Sequence, residues 1–309
     1  MGSGSCNTTV EVVGQRGNKR KVADAEDGPS SKRRLVTEDV EEEPTKQQEF
    51  EAKYKELDNI GQGGYGSVFA GYRRADNLPV AIKHIPIDKV WFTHEDNGNI
   101  ISIEVAIMLK LAAESERTWP SLLDWYRLER ELVLVMERPI HAKSFWRYLR
   151  AEGLSMTEEE VKIILRQLVD VALKLKRKDI FHRDIKTENI LIETSSKVPR
   201  LLLIDYGVSC YDDWNRRYLE FYGSVTPPEI YGECGYTAEP TTVFQIGAVL
   251  FDALHEEKKV FDTLKFYMGG QSLPKEMSTD CYDFLQMCLR KYPATRPTLE
   301  QLRNHQWLR

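Results

Sequence analysis

Two short runs constrain this chain more than anything else in it. The first is His182, Arg183, Asp184, Ile185, Lys186, Thr187, Glu188 and Asn189; the second is Leu203, Ile204, Asp205, Tyr206 and Gly207. Together they supply a candidate base, a cation and two candidate metal ligands, the parts needed to move a phosphoryl group. Such a transfer leaves little covalent work to the protein, so positioning and charge neutralisation carry the catalysis. Asp184 suits the base that accepts a substrate hydroxyl proton, while Asn189 and Asp205 suit magnesium held against nucleotide phosphates. Either fragment alone reads as an ordinary turn. The ordered pair at this separation does not.

A nucleotide site needs a second half upstream. Gly61, Gly63 and Gly66 lie between the apolar edges Leu57 and Ile60 on one side and Val68 and Phe69 on the other. Glycines let backbone N–H groups approach phosphate oxygens without a Cβ in the way. The same spacing can open a dinucleotide-binding helix. Here the residues from Ser67 to Tyr72 favour β structure, so the loop joins two strands and an oxidoreductase of that class is disfavoured. Val80, Ala81, Ile82 and Lys83 then form a short apolar strand ending in lysine. Alone, Lys83 would read as a snorkelling edge residue; in this company it is assigned to the α- and β-phosphates. The stretch 100–111 reads as a helix, apolar nearly all round, with Glu104 its only acid. A carboxylate in that setting needs a cation, and Lys83 is the candidate.

These residues resemble the protein kinase superfamily, and from Tyr54 onward the chain is similar to the Pim family of serine/threonine kinases. Met136, Glu137, Arg138 and Pro139 resemble the Pim hinge, where the glutamate backbone meets adenine. Pro139 has no N–H to offer, a loss of one neutral hydrogen bond of about 0.5–1.5 kcal/mol. Val243, taken as the position where most kinases carry an aspartate supporting the catalytic loop, follows the Pim pattern, as do Asn304, His305, Gln306 and Trp307. Lys186, two residues after Asp184, is typical of serine/threonine kinases. The resemblance implies an α+β fold of two lobes: a small lobe of antiparallel sheet plus one main helix (about 49–139) and a large, mainly helical lobe (about 140–309). It implies ATP and Mg2+ as cofactors and protein substrates with Ser/Thr acceptors. The implied nucleotide contacts are Ile60, Gly61, Gly63, Gly66, Val68, Ala81, Lys83, Glu137, Asn189 and Asp205, the last two also binding metal. The implied catalytic set is Asp184, Lys186, Lys83 and Glu104, and Glu229 with Arg296 matches a lobe-bracing ion pair.

The departures matter too. Tyr206 stands where the family has phenylalanine, and its hydroxyl needs a partner or water. Ser144 and Arg147, with Lys143 beside them, occupy positions where Pim kinases carry acids. Glu188 keeps one acidic position and Thr187 replaces its acidic neighbour, so the resemblance alone does not decide whether the family's preference for basic substrates is kept. The segment 223–229 is two residues shorter than the family pattern. The activation segment, 205–229, contains Tyr211, Tyr218, Tyr222, Ser224 and Thr226. Pim kinases are considered active without phosphate there, and Asp212, Asp213 and Glu220 are expected to supply negative charge to Arg183. The alternative reading is a pseudokinase scaffold. Tyr206 and the shortened segment favour it; the presence of every ionic group disfavours it.

Residues 1–48 are polar and poor in aromatics, so a disordered tail is expected. Its basic clusters at 19–21 and 32–34 resemble a bipartite nuclear-import signal, though an ordinary solvated charge run fits equally. An import receptor and a cytoplasmic or nuclear location follow as expectations. Cys6 occupies the Ser/Thr position of a myristoylation motif and argues against that modification. Five cysteines without C-x-x-C spacing suit a reducing compartment. A net charge of −5 gives no hint of nucleic-acid binding, no apolar run reaches membrane-spanning length, and a monomer is expected. Helices are expected from Phe145, from the Thr157 cap through a stripe of Val161, Ile164, Leu165, Leu168, Val171, Ala172 and Leu175, and over 243–254.

Overall fold

The computed structural model describes residues 43–309, apart from 65, 95–97, 114–117, 152–155, 213–215, 233–234 and 256–259. The basic clusters, Cys6, Asp213 and Cys234 lie outside the described residues. The chain enters through helix α1 (Lys46–Lys53), which starts ahead of the expected boundary at 49. Thr45 caps it and Gln48 Oε1 accepts from the Thr45 N–H, a capping box. Its one buried residue, Phe50, packs with Tyr54 and Tyr126, so the helix is stapled to the sheet that follows.

That sheet is antiparallel, with strands β1 (Tyr54–Gly63), β2 (Gly66–Arg73), β3 (Pro79–Pro86), β6 (Leu122–Arg127) and β7 (Glu131–Glu137) in the order β1-β2-β3-β7-β6. Between β3 and β6 a small hairpin, β4 (Phe92–His94) with β5 (Ile100–Ser102), leads into helix α2 (Ile103–Ala112). The expected helix over 100–111 therefore begins three residues late. A run apolar on all sides has no period to separate strand from helix, and Ser102 marks the junction. Val105 of α2 packs with Ile85, Leu132 and Leu134 of the sheet. Ile103, Ile107, Met108 and Leu111 join the core of the large lobe. The helix is thus shared by both lobes.

Past the hinge, β8 (Ala142–Ser144), β10 (Ile190–Glu193) and β11 (Arg200–Leu203) form a second sheet, and β9 (Ile180–Phe181) pairs with β12 (Cys210–Tyr211). Helix α3 (Phe145–Arg150) follows β8 as expected. Helix α4 (Glu158–Arg177) starts at the anticipated Thr157 cap, completed by Glu160, and buries the whole predicted stripe. Helix α5 (Ala238–Leu254) starts five residues before the expected 243. Pro240 falls in its first turn, where the missing N–H costs nothing. Helices α6 (Thr263–Tyr267), α7 (Thr279–Cys288) and α8 (Leu299–Arg303) complete the lobe. Among the described residues no helix is long and apolar enough to cross a membrane.

Candidate active site

Strands β1 and β2 pair Gly61 with Val68 and Gly63 with Gly66, so the glycine run is a hairpin between strands and no helix follows it. Gly66 has φ +149°, and a Cβ there would lie 2.0 Å from the His84 carbonyl oxygen, so only glycine fits. Ile60 and Val68 flank the hairpin base. Ala81 sits on β3 two residues before Lys83, opposite Met136 of β7. At the hinge, the Glu137 N–H donates to Ser121 O (2.9 Å) and the Arg138 N–H to Pro79 O (3.2 Å). With Pro139 lacking an N–H, these three residues offer a base their carbonyl acceptors rather than donors.

The deep end of the cleft holds a buried ion cluster. Lys83 Nζ donates to Glu104 Oε1 at 2.7 Å and to Asp205 Oδ1 at 2.8 Å. Burial strips water from Lys83 and disfavours its charge, but the two carboxylates outweigh that and hold its pKa above the ordinary lysine value. Burial also opposes the charge of Asp205, yet Lys83 pulls that pKa down to about 2. For Glu104 burial wins and the pKa is raised. The same crowding leaves little room at Gly207, where a Cβ would come within 3.3 Å of Asp205 Oδ1 and 3.4 Å of Glu104 Oε2.

Asp184 is bound on both oxygens. Oδ1 accepts from the Ser224 N–H (2.6 Å) and Oδ2 from Asn189 Nδ2 (3.1 Å). Lys186 Nζ lies 2.8 Å from Asp184 Oδ2 and donates to Ser224 Oγ at 2.7 Å. The Ile204 N–H donates to Asn189 O, which sets Asp205 beside the catalytic loop. His182 is buried and its pKa is lowered by desolvation, so the ring is neutral. Its Nδ1 accepts from the Asp184 N–H (3.3 Å) and its Nε2 donates to Ile204 O (3.2 Å). Arg183 and Asp205 both hold φ of +69°, uncommon for non-glycine residues. Lys83, Glu104 and Asp205 thus form one bonded group and Asp184 and Asn189 another, and the Ile204 to Asn189 backbone bond joins their two segments.

Three features bear on these expectations. Val243 is buried in the apolar core, in keeping with the absent aspartate, and a brace for the catalytic loop comes from Gln245. Gln245 Oε1 accepts from the Ile185 N–H (3.2 Å) and Nε2 donates to Arg183 O (2.6 Å). A buried amide between Phe244 and Ile246 was the overlooked signal, since such a group must find partners. Second, Arg183 pairs with neither Asp212 nor Glu220. Its guanidinium lies over the rings of Tyr218 (4.6 Å to the centroid), Tyr222 (5.6 Å) and Phe181 (5.7 Å). Nη1 reaches Val208 O at 3.4 Å, and Nε has no hydrogen-bond partner among the described residues. Asp212 instead accepts from the Tyr218 hydroxyl. Third, the buried Tyr206 hydroxyl finds no partner among the described residues; its ring packs against His182.

Other placements follow expectation. Arg296 makes a two-pronged pair with Glu229 (2.7 and 2.6 Å) and covers the Phe244 ring. Ser144 caps α3, and Arg147 Nη2 reaches across to Ile60 O at 3.4 Å, tying the large lobe to the base of the glycine hairpin. Lys143 and Glu188 are exposed.

The comparisons with known proteins agree with this geometry. The protein kinase domain family matches residues 54–308. Serine/threonine-protein kinase pim-2 of Danio rerio is 30% identical over 269 residues, covering 84% of this chain and 86% of that protein. Serine/threonine-protein kinase prk-2 of Caenorhabditis elegans is 27% identical over 84% of this chain and 59% of its own length. Serine/threonine-protein kinase PSK1 of Saccharomyces cerevisiae is 26% identical, covering 82% of this chain and 19% of that protein. The chain belongs to the protein kinase family, is related within it to the Pim kinases, and is an ATP-dependent serine/threonine kinase.

Proposed function

We propose that this kinase moves the ATP γ-phosphate to Ser/Thr hydroxyls of protein substrates with a catalytic loop that needs no activation-loop phosphate. The observation that carries the reading is the ready assembly of both halves of the site: the Lys83–Glu104 pair is closed at 2.7 Å and Asp184 is already oriented by Ser224 and Asn189. Lys83, held by Glu104, would bind the α- and β-phosphates. Asp205, whose side chain keeps 36% of its surface exposed, and Asn189 offer hard oxygen ligands suited to magnesium. When bound, that ion neutralises the charge on the phosphates. Among the described residues no group of three or more His, Cys, Asp or Glu gathers for a metal, in keeping with a cation that shares its ligands with the substrate.

Asp184 accepts the proton of the incoming hydroxyl at its carboxylate, and Lys186, 2.8 Å away, steadies the transferred group. Ile60, Val68 and Ala81 would enclose the base, with the hinge carbonyls its polar contact. The pseudokinase alternative is not supported by the relatives, which are named serine/threonine kinases, and the Tyr206 ring packs against His182 although its hydroxyl has no partner among the described residues. For the tail we propose recognition by a nuclear-import receptor, and for the chain a monomer.

The test of phosphate independence is turnover of phosphatase-treated protein, with mass spectrometry verifying that 205–229 is unmodified. Transfer to a peptide library at once supports the reading. Silence until an upstream kinase acts refutes it.

A further inference from the structure

We propose that Trp91 and Tyr222 are positioning residues for the transfer: their ring contact links the start of the Glu104 helix to the catalytic-loop arginine across the cleft. The rings meet edge-on, with centroids 5.0 Å apart and an interplanar angle of 65°. Trp91 belongs to the small lobe and Tyr222 to the activation segment. Neither ring is part of a hydrophobic core cluster, and Trp91 keeps 49% of its surface exposed. The fold does not need this pair for its interior, so what each ring is attached to becomes the question.

On the small-lobe side, the Trp91 carbonyl accepts the N–H of Ile103 at 2.9 Å, at the first residue of α2 and one before Glu104. Two residues earlier, Lys89 Nζ donates to Gly64 O at 2.7 Å, at the tip of the glycine hairpin. The short stretch 89–91 therefore touches the phosphate loop, the Glu104 helix and the activation segment. On the other side, the Tyr222 ring lies 5.6 Å from the Arg183 guanidinium. Tyr222 is followed by Gly223, where a Cβ would lie 2.3 Å from Arg183 O, and then by Ser224, which holds Asp184 and Lys186. The backbone is packed too closely there for Tyr222 to move without moving Ser224. In this arrangement the ring pair and the cation over it do the lobe-coupling work that a phosphate-to-arginine contact performs in other switches of this kind.

The inference rests on the phosphate-independent reading, and its test separates the two. A double-mutant cycle on the full chain compares Trp91→Ala, Tyr222→Ala and the double variant, with kcat, KM for ATP and thermal melting recorded for each. Each single change should lower kcat by about threefold to tenfold, the span an aromatic pair of this geometry commands, with KM for ATP within about twofold. The double variant should lose no more than the worse single. Trp91→Phe should recover most of the loss. Trp91→Leu, which keeps apolar bulk and guards against a misfolded alanine variant, should be as slow as Trp91→Ala. The proposal is overturned if the two losses multiply, if Trp91→Leu runs at the wild-type rate, or if the losses appear in KM alone. A wild type that is silent until phosphorylated would sink phosphate independence only, and the same cycle on the phosphorylated form would then decide the ring pair by these criteria.

Discussion

Lys83 and Arg183 are two cations of one active site, held in opposite ways. Lys83 is buried between the carboxylates of Glu104 and Asp205, and its charge is balanced by ions. Arg183 has no ion partner among the described residues and lies over three aromatic rings. The first arrangement is strong only while it is complete, because a buried charge that loses its counter-ion is costly. The second is weaker per contact, about 0.5–2 kcal/mol for each favourable ring, and degrades gradually. The cleft floor should therefore fail abruptly on substitution and the activation segment by degrees.

Between these two cations the larger effect should come from Lys83→Met. It leaves Glu104 and Asp205 facing each other without a cation, and it removes the group assigned to the phosphates. Loss of one preorganised charge contact of this kind costs about 10²–10³-fold in turnover, read as kcat in a peptide assay. The Arg183→Lys variant keeps the charge but loses the planar face that stacks on rings, so kcat should fall by only about threefold to tenfold. If the two variants fall equally, the contrast between ion-held and ring-held cations is wrong.

Asp252 sharpens the comparison from the other side, because it is a carboxylate with no ion pair among the described residues. Desolvation pushes its pKa up to about 7, against a hydrogen bond from the Phe261 N–H at 2.6 Å. The sign follows directly. A carboxyl whose folded pKa lies above its unfolded value stabilises the fold most when protonated, and that stability is lost as pH rises from about 4 toward 7. Asp252→Asn keeps the acceptor for Phe261 and removes the charge. Its melting temperature should match wild type near pH 4 and exceed it by about 8–16 °C at pH 8, since a shift from the ordinary carboxyl value to about 7 corresponds to about 4 kcal/mol. The smallest effect is expected from Tyr206→Phe. The hydroxyl has no partner among the described residues to lose, so stability should hold or rise by up to about 1–3 kcal/mol, the cost of an unsatisfied buried group, as read by denaturant unfolding.

The ion-held half of the site was legible in the sequence, and the ring-held half was not. Lys83, Glu104, Asp184, Asn189 and Asp205 are chemically demanding, and a lone acid on an apolar helix nearly names its own partner. The rings around Arg183 come from two segments, Phe181 of β9 and Tyr218 with Tyr222 of the activation segment, and the tyrosines carry no local pattern that says they will stack. Acids near Arg183 in sequence suggested ion pairs; Asp212 was taken by the Tyr218 hydroxyl instead. Helix α4 was readable from its cap and period. The strand at 100–102 was not, because continuous apolar character suits either element. Gln245 carries only the weak signal of one amide in an apolar run, while the family resemblance points to Val243 two residues before it.

The central claim is that the gathered side chains transfer phosphate with Asp184 as base. Its most direct test is transfer of radiolabelled γ-phosphate from ATP to a Ser/Thr peptide library, wild type against Asp184→Asn. The account predicts labelling by the wild type and a loss of about 10²–10⁴-fold in the variant, the span for a positioned base. A variant that labels at close to the wild-type rate, or a folded wild type that labels nothing in either phosphorylation state, would contradict it.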